Sequence, residues 1–470
     1  MTTVLETIHT DGIAQLSYLV GDTSTGIAAV IDPRADVDVY LELARQKELA
    51  IRHVLETHIH ADFVSGGREL VDRAGDATLH CSGHDAAYDF DHEALMDGDR
   101  IALGSVVLTA RHTPGHTPEH LSFEIAEADQ PKDPFAVFTG DSLFVASAGR
   151  PDLLGDDQTD QLTEQLYETL YDYYLKLDDH VLIYPGHGAG SACGAGIGDR
   201  LVSSIGYERR QNRFLRFPDF EQFRNFVVNE APPVPDHYPR LKKVNARGPE
   251  VLHRLPTIPA LPPKDFQSES RQSGVTVIDT RQMLAFGGGH IEGAINIGSR
   301  PELSAWIGQM FEFDHSLLLV AENDDDVDQV VRLLLRTGYT NLAGYLCGGM
   351  KAWQNAGLPL AELPQISVHQ LHDRLQSGKR MNVIDVRSPS EFASGHVPGA
   401  RHYFVADMKN RIDGLDRELP TVTYCASGYR ASIASSLMKA RGFQQVYNVP
   451  GSWKAWQRAG LPTEHSDSAA

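Results

Sequence analysis

Hydrophobic positions along this chain fall into two kinds of run. Short, nearly unbroken apolar runs recur: IAQLSYLVGD from Ile13, IAAVIDP from Ile27, IRHVLET from Ile51, PFAVFTG from Pro134, VIDVR from Val383 and TVTYC from Thr421. Runs of this length closed by Gly, Pro or a polar residue read as buried strands. Asp32 ends the second of them just before Pro33, which suits a turn. Other stretches repeat at helical spacing. In ASIASSLMKARGF, from Ala431, the apolar Ile433, Leu437 and Met438 lie about one turn apart and predict a helix. The segment from Tyr207 to Pro233 also has helical character. Strands alternating with helices predict an α/β protein with parallel sheets in its C-terminal part.

The C-terminal part also repeats. VIDTRQMLAFGGGHIEGAINI begins at Val277, and VIDVRSPSEFASGHVPGARHY begins at Val383. KAWQNAGLP begins at Lys351, and KAWQRAGLP at Lys454. A period this long predicts tandem domains rather than a solenoid. The Pro-rich stretch from Leu255 to Phe266 holds Pro256, Pro259, Pro262 and Pro263 and predicts an extended connector. The expected organisation is a domain over residues 1–250, a linker over 251–265, and two related domains over 266–360 and 361–470.

Composition narrows the function. The 470 residues fit roughly three domains of about 150 residues each. Forty-two basic against 63 acidic residues give a net charge of −21, which argues against nucleic acid and anionic membranes as partners. Only four Cys are present, widely spaced at 81, 193, 347 and 425. That excludes a disulfide scaffold and suggests a reducing compartment. The N-terminal stretch carries Glu6 and Asp11 without a basic segment, and no stretch approaches the ~20 apolar residues of a membrane span. A cytoplasmic protein is expected.

Four segments carry metal-ligand chemistry. THIHADF supplies His58, His60 and Asp62 on the loop after a strand. His116 lies in HTPGHTPEH, a Gly/Pro turn expected to expose the imidazole. Asp141 lies in FTGDSLF and His187 in IYPGHGAG, each just beyond an apolar strand. Two His and one carboxylate with open positions suit non-haem Fe(II), and the same set suits zinc. Together these motifs resemble the metallo-β-lactamase superfamily, whose pattern is H-x-H-x-D-H followed by a His, an Asp and a final His. Phe63 stands where the family usually has a His that helps hold a second metal. Phe cannot coordinate, so one metal is expected.

TPGHTPEH, GDSLF, GRPDLLG and PGHGAGSACG resemble the persulfide dioxygenase branch of that superfamily. The resemblance covers about residues 1–245 and implies an αββα sandwich. It implies one Fe(II) held by His58, His116 and Asp141, with His60, Asp62 and His187 nearby but not as main ligands. It also implies that Arg150 anchors the substrate's thiol carrier, unless Arg150 is held in an ion pair with Asp152. Cys193, in a Gly-rich loop, is either a small buried residue or a thiol that carries sulfur near the metal.

Cys425 follows a strand and precedes a helix, in the six-residue loop Cys425, Ala426, Ser427, Gly428, Tyr429, Arg430. Such a loop points backbone N–H groups and a helix N-terminus at the sulfur and stabilises a thiolate. Residues 366–465 resemble the rhodanese family, through this loop and through IDVR, GHVPGA and GSWKAW. Related phosphatases use a seven-residue loop, so sulfur transfer is expected. In the first copy Ala321 aligns with Cys425, and the loop continues Glu322, Asn323, Asp324, Asp325, Asp326. That copy is expected to be a scaffold.

The resemblances imply an enzyme that oxidises a small thiol persulfide, of glutathione or coenzyme A type, with O2 to sulfite. Rhodanese transfer that forms or uses thiosulfate is coupled to it. A homodimer or higher homo-oligomer is implied by relatives of the first domain. A zinc-dependent thioester hydrolase of glyoxalase II type with an appended sulfurtransferase is the alternative. A sulfur carrier or sensor with a structural metal is a third possibility.

Overall fold

The computed structural model describes residues 2–85, 88–230, 233–412 and 414–465. The chain divides into two compact units: Met1–Leu255 with Leu335–Gly338, and Pro256–Leu334 with Tyr339–Ala470.

The first unit is built on two six-stranded sheets. One runs in order through β1 (Thr3–Thr10), β2 (Gln15–Asp22), β3 (Ile27–Ile31), β4 (Ala50–Leu55), β5 (Thr78–Ser82) and β6 (Glu93–Leu95). The first three are antiparallel, and β3 to β6 are parallel. The other contains β7 (Arg100–Ala102), β8 (Val106–His112), β9 (Leu121–Glu127), β10 (Pro134–Gly140), β13 (Leu182–Pro185) and β14 (Ser203–Ser204). A small hairpin, β11 (Leu143–Phe144) with β12 (Ser147–Ala148), follows β10.

The side-chain alternation of the strands explains the layering. In β2 the residues Leu16, Tyr18 and Val20 face Leu121, Phe123, Ala136 and Phe138 of the second sheet across one core. Leu19, Ala28 and Val30 point the other way, against Tyr40 and Ala44 of α1 (Asp38–Gln46) and Leu70 of α2 (Gly67–Ala74). Val137 and Ile183 of the second sheet pack against Leu166 of α3 (Asp156–Glu168), Ile205 of α4 (Ile205–Gln211), and Phe223 and Val227 of α5 (Phe220–Glu230). The strands are apolar on both faces because both faces are covered, which is why they read as unbroken runs. The order of layers is helix, sheet, sheet, helix. A sixth helix, α6 (Tyr238–Arg247), closes the unit. Residues 231 and 232 of the expected helical segment lie outside the described residues.

The second unit holds two all-parallel sheets. One has the order β15 (Ala260–Leu261), β19 (Leu342–Leu346), β18 (Ser316–Val320), β16 (Val275–Asp279), β17 (Ile295–Asn296). The other has β21 (Arg401–His402), β20 (Asn382–Asp385), β22 (Thr421–Tyr424), β23 (Val446–Asn448). The sequence repeat is a repeat of contacts. Arg281 binds Asp279 and the Gly289 carbonyl, as Arg387 binds Asp385 and the Gly395 carbonyl. Trp353 donates to the Pro359 carbonyl, as Trp456 does to that of Pro462. The Pro-rich stretch is extended, but it does more than connect. Its Ala260–Leu261 forms an edge strand, a position proline tolerates, and Pro263 opens a helix over Pro263–Ser270.

Candidate metal centre and cysteine loop

The metal-binding candidates converge where strands of both sheets end. His58, His60 and Asp62 follow β4, His116 lies between β8 and β9, Asp141 follows β10, and His187 follows β13. One donor atom each from His58, His116 and Asp141 lies within 4.8 Å of the others. The expected exposure of His116 is corrected by the structure. Its turn faces inward, and His116 is 1% exposed.

Hydrogen bonds fix which nitrogen of each ring is free. Thr57 spends its hydroxyl proton on Asp32 Oδ2 at 2.8 Å, so its oxygen accepts from His58 Nδ1 at 2.8 Å. His116 Nδ1 meets the carbonyl of Arg150 at 2.9 Å, and a carbonyl only accepts. Both rings therefore keep Nε2 bare, the form that binds a metal. Those atoms stand 3.9 and 3.5 Å from Asp141 Oδ2, a buried oxygen with no hydrogen-bond partner. Two bare imidazole nitrogens and an orphaned carboxylate oxygen fit a divalent metal. Burial holds the proton affinities of His58 and His116 low, which favours the neutral ligand form.

The other candidates have different partners. His187 bridges two carboxylates, with Nδ1 2.8 Å from Asp141 and Nε2 2.7 Å from Asp62. Burial alone would lower its pKa, but the two carboxylates outweigh it and raise the value to about 10. Asp141 is held well below the usual carboxylate range, because His187 outweighs its burial. His60 Nε2 lies 3.2 Å from both Asp32 and Glu56, and its Nδ1 has no partner. Asp141 also donates its backbone N–H to His120 Nε2 at 3.0 Å. A methyl group on Gly149 or Gly186 would strike Asp141, so both positions need glycine to let the chain pass.

Arg150, 3% exposed, is fully engaged. Its Nε and one terminal nitrogen grip Asp152 at 2.7 and 2.6 Å, and the other terminal nitrogen donates to the Ala192 carbonyl. Cys193 is buried, and its Sγ lies 3.9 Å from the hydroxyl of Tyr238. Burial, with Asp62 and Asp141, pushes its thiol well above the ordinary range. Asp62, His187 and Cys193 form a second group whose donors lie within 4.8 Å of one another, and Asp32, Glu56 and His60 form a third.

Several residues of this centre carried no sequence signal of a role in it. Asp32 takes a left-handed conformation (φ 50°), and its carboxylate accepts from Thr57 N. Glu119 accepts the N–H of Ile59 at 2.9 Å. Lys242 lies on α6 near His58 and His116, and its charge acts on both.

In the second unit, Cys425 directly follows β22, and its loop runs into the helix Tyr429–Ala440. The Gly428 N–H donates to Cys425 Sγ at 3.1 Å. Ser452, strained at φ 43°, accepts the Cys425 N–H on its hydroxyl at 3.1 Å. Arg430 clasps Glu391 at 2.7 and 2.8 Å, and its charge also acts on Cys425. Burial raises the pKa of Glu391, but Arg430 outweighs it and lowers the value to about 2. The first copy also braces the loop: Tyr429 donates to the Gly298 carbonyl at 3.0 Å, and Ser432 to Asn296 at 2.5 Å. In its own loop, Asp324 accepts the Gly348 N–H at 2.9 Å and the Cys347 thiol at 3.6 Å. A cleft of about 540 Å³ opens at the carboxyl end of β20 and β21, lined by Pro389, His402, Tyr403, Phe404 and Asp407.

Comparison with known proteins identifies the families of both parts of the chain. The metallo-beta-lactamase superfamily model matches residues 10–187, and the rhodanese-like domain model matches residues 262–356 and 367–459. A crystal structure of a metallo-beta-lactamase from Staphylococcus aureus superposes with a TM-score of 0.65 at 30% identity, covering 74% of this chain and 98% of that one. The chain belongs to the metallo-β-lactamase superfamily and carries two rhodanese-like domains. The fold class and the fusion expected from the sequence are those found.

This metallo-β-lactamase–rhodanese chain is 32% identical over 181 residues to the mitochondrial persulfide dioxygenase ETHE1 of Bos taurus. That match covers 36% of this chain and 63% of the relative. It is 33% identical over 174 residues to the cytoplasmic hydroxyacylglutathione hydrolase of Arabidopsis thaliana, covering 36% and 62%. The chain thus spans a little over three fifths of the length of these curated relatives. Among the described residues no helix is long and apolar enough to cross a membrane.

Proposed function

We propose that this chain is a mononuclear iron persulfide dioxygenase coupled to rhodanese sulfur transfer. The observation that carries the reading is the pairing, in one chain, of the three-donor centre His58–His116–Asp141 with a complete cysteine cradle at Cys425. The overall oxidation balances as a persulfide R–S–SH plus O2 and water giving R–SH, sulfite and two protons. His58, His116 and Asp141 would hold Fe(II), which would supply the redox change that zinc lacks. The chain's own residues hold that chemistry in place. Thr57 and the Arg150 carbonyl fix the two imidazoles, and His187 fixes Asp141. The buried walls exclude bulk water.

Cys425 then handles sulfane sulfur. Its thiolate attacks the outer sulfur of a persulfide, the S–S bond breaks, and the thiol leaves. The Gly428 N–H and Arg430 stabilise the resulting cysteine persulfide. Sulfite attacks the outer sulfur, giving thiosulfate and restoring the thiolate. Run backward, the same exchange draws sulfur from thiosulfate. The cleft beside Pro389 and Tyr403 is the place for the body of the thiol acceptor, at the end of a parallel sheet where ligands settle. A small thiol of glutathione or coenzyme A type is the expected carrier, in the cytoplasm and in a homo-oligomer.

A second reading is a zinc thioester hydrolase. The observation favouring it is the group Asp62, His187 and Cys193, which offers donors for a second ion. Product analysis separates the two. The dioxygenase forms sulfite from glutathione persulfide only when O2 is present. The hydrolase cleaves S-lactoylglutathione equally well without O2.

A further inference from the structure

An anionic sulfur substrate meets a centre rich in carboxylates: Asp141, Asp62 and Glu119 are all buried there. A cation with no other partner, beside the metal itself, would offset that repulsion. Two of the nearby cations are already engaged. Arg150 holds Asp152 with a two-pronged grip and the Ala192 carbonyl with its remaining nitrogen. His187 is clamped between Asp62 and Asp141.

Lys242 differs. It makes no hydrogen bond and no ion pair among the described residues, although it is partly buried. Its place on α6 is set by residues one turn to either side, which share its helix face. Tyr238, four positions before, brings its hydroxyl to Cys193. Asn245, three positions after, donates to the His60 and Phe63 carbonyls at 2.8 and 2.7 Å. Both neighbours are thus anchored on the metal-binding segments, so Lys242 projects toward them too. Its charge acts on His58, His116 and Glu119. Leaving an ammonium partly buried and unpaired costs stability. A site that repeatedly admits an anion explains why such a residue is placed there.

We propose that Lys242 is the cation that holds the anionic sulfur group of substrate and product, persulfide or sulfite, beside the metal centre. This rests on the dioxygenase reading for the identity of the anion, but its placement does not. Lys242 ligates nothing and anchors no element, so the three donors and the fold are expected to survive its replacement.

The test is a calorimetric titration of sulfite into the full-length, iron-loaded protein and its K242Q and K242R variants. K242Q is expected to weaken sulfite binding by about tenfold or more, the size of one charge-assisted contact, and K242R to recover most of it. Iron content and the thermal midpoint stay unchanged in both variants. With glutathione persulfide, K242Q raises KM for the persulfide while KM for O2 stays fixed. Sulfite affinity unchanged in K242Q overturns the proposal, as does a fall in kcat with no change in either KM. If the wild type takes up no O2, the dioxygenase reading fails, and the sulfite titration still decides the role of Lys242.

Discussion

Nδ1 of His187 lies 2.8 Å from Oδ1 of Asp141. The contact occupies one carboxylate oxygen and leaves Oδ2 without a partner, 3.9 and 3.5 Å from the bare nitrogens of His58 and His116, where it could take a metal. His187 thus orients a ligand without needing to be one. Outer partners of this kind are worth about 10–100-fold in metal affinity. H187A is expected to weaken metal binding by that factor in a chelator competition, with the fold intact by circular dichroism. Affinity equal to wild type would remove His187 from this role.

Phe63 fills the position where a second metal would take an imidazole. It is fully buried, with its ring 4.4 Å from that of His60. F63H adds a donor beside Asp62 and His187. The expected result is a rise in metal content from about one toward two equivalents per chain when zinc is supplied. A stability loss of about 1–3 kcal/mol accompanies it, because an apolar ring is replaced by a smaller polar one. Content that stays at one would mean that Phe63 does not set the stoichiometry.

Cys425 is the nucleophile in this account, and Ala321 occupies its place in the first copy. C425S is expected to reduce thiosulfate sulfurtransferase activity to the uncatalysed background while leaving O2 uptake by the first unit in place. C347S leaves both activities unchanged, because the Cys347 thiol is held by Asp324 and burial pushes its pKa upward. Transfer activity surviving in C425S would contradict the assignment.

The Glu391–Arg430 clasp has a pH signature. Glu391 has a folded pKa of about 2, below its ordinary 4.5. A depressed carboxylate stabilises the fold above its unfolded pKa, and that contribution is lost as pH falls toward the folded value. Wild type is expected to exceed E391Q in thermal midpoint at pH 7, with the gap closing between pH 4.5 and about 2. With both side chains partly exposed, solvent screening limits the effect to about 1 kcal/mol. A gap independent of pH over that window would assign it to packing instead.

Much of the fold was legible because both faces of its strands are covered, so β2, β3, β10 and β22 stand out as apolar runs. The tandem domains were legible because VIDTR and VIDVR, and the two KAWQ segments, keep the same internal contacts. His58, His116 and Asp141 were legible because each closes a strand within a short polar motif. The rest depends on distance in three dimensions. Asp32 reads as a turn residue, yet its carboxylate reaches Thr57, 25 positions away. Nothing in YPRLKKVNAR separates Lys242 from its exposed neighbour Lys243. The Pro-rich stretch reads as a connector, because a two-residue edge strand is too short to show periodicity. Ring tautomers, on which ligation depends, follow from hydrogen bonds that no linear motif specifies.

The most direct test of the central claim is O2 consumption by anaerobically purified, metal-analysed protein supplied with glutathione persulfide. The account expects about one iron per chain and one O2 consumed for each sulfite formed, with uptake lost in H116A. Zinc in the protein, no O2 uptake and ready thioester cleavage would contradict it.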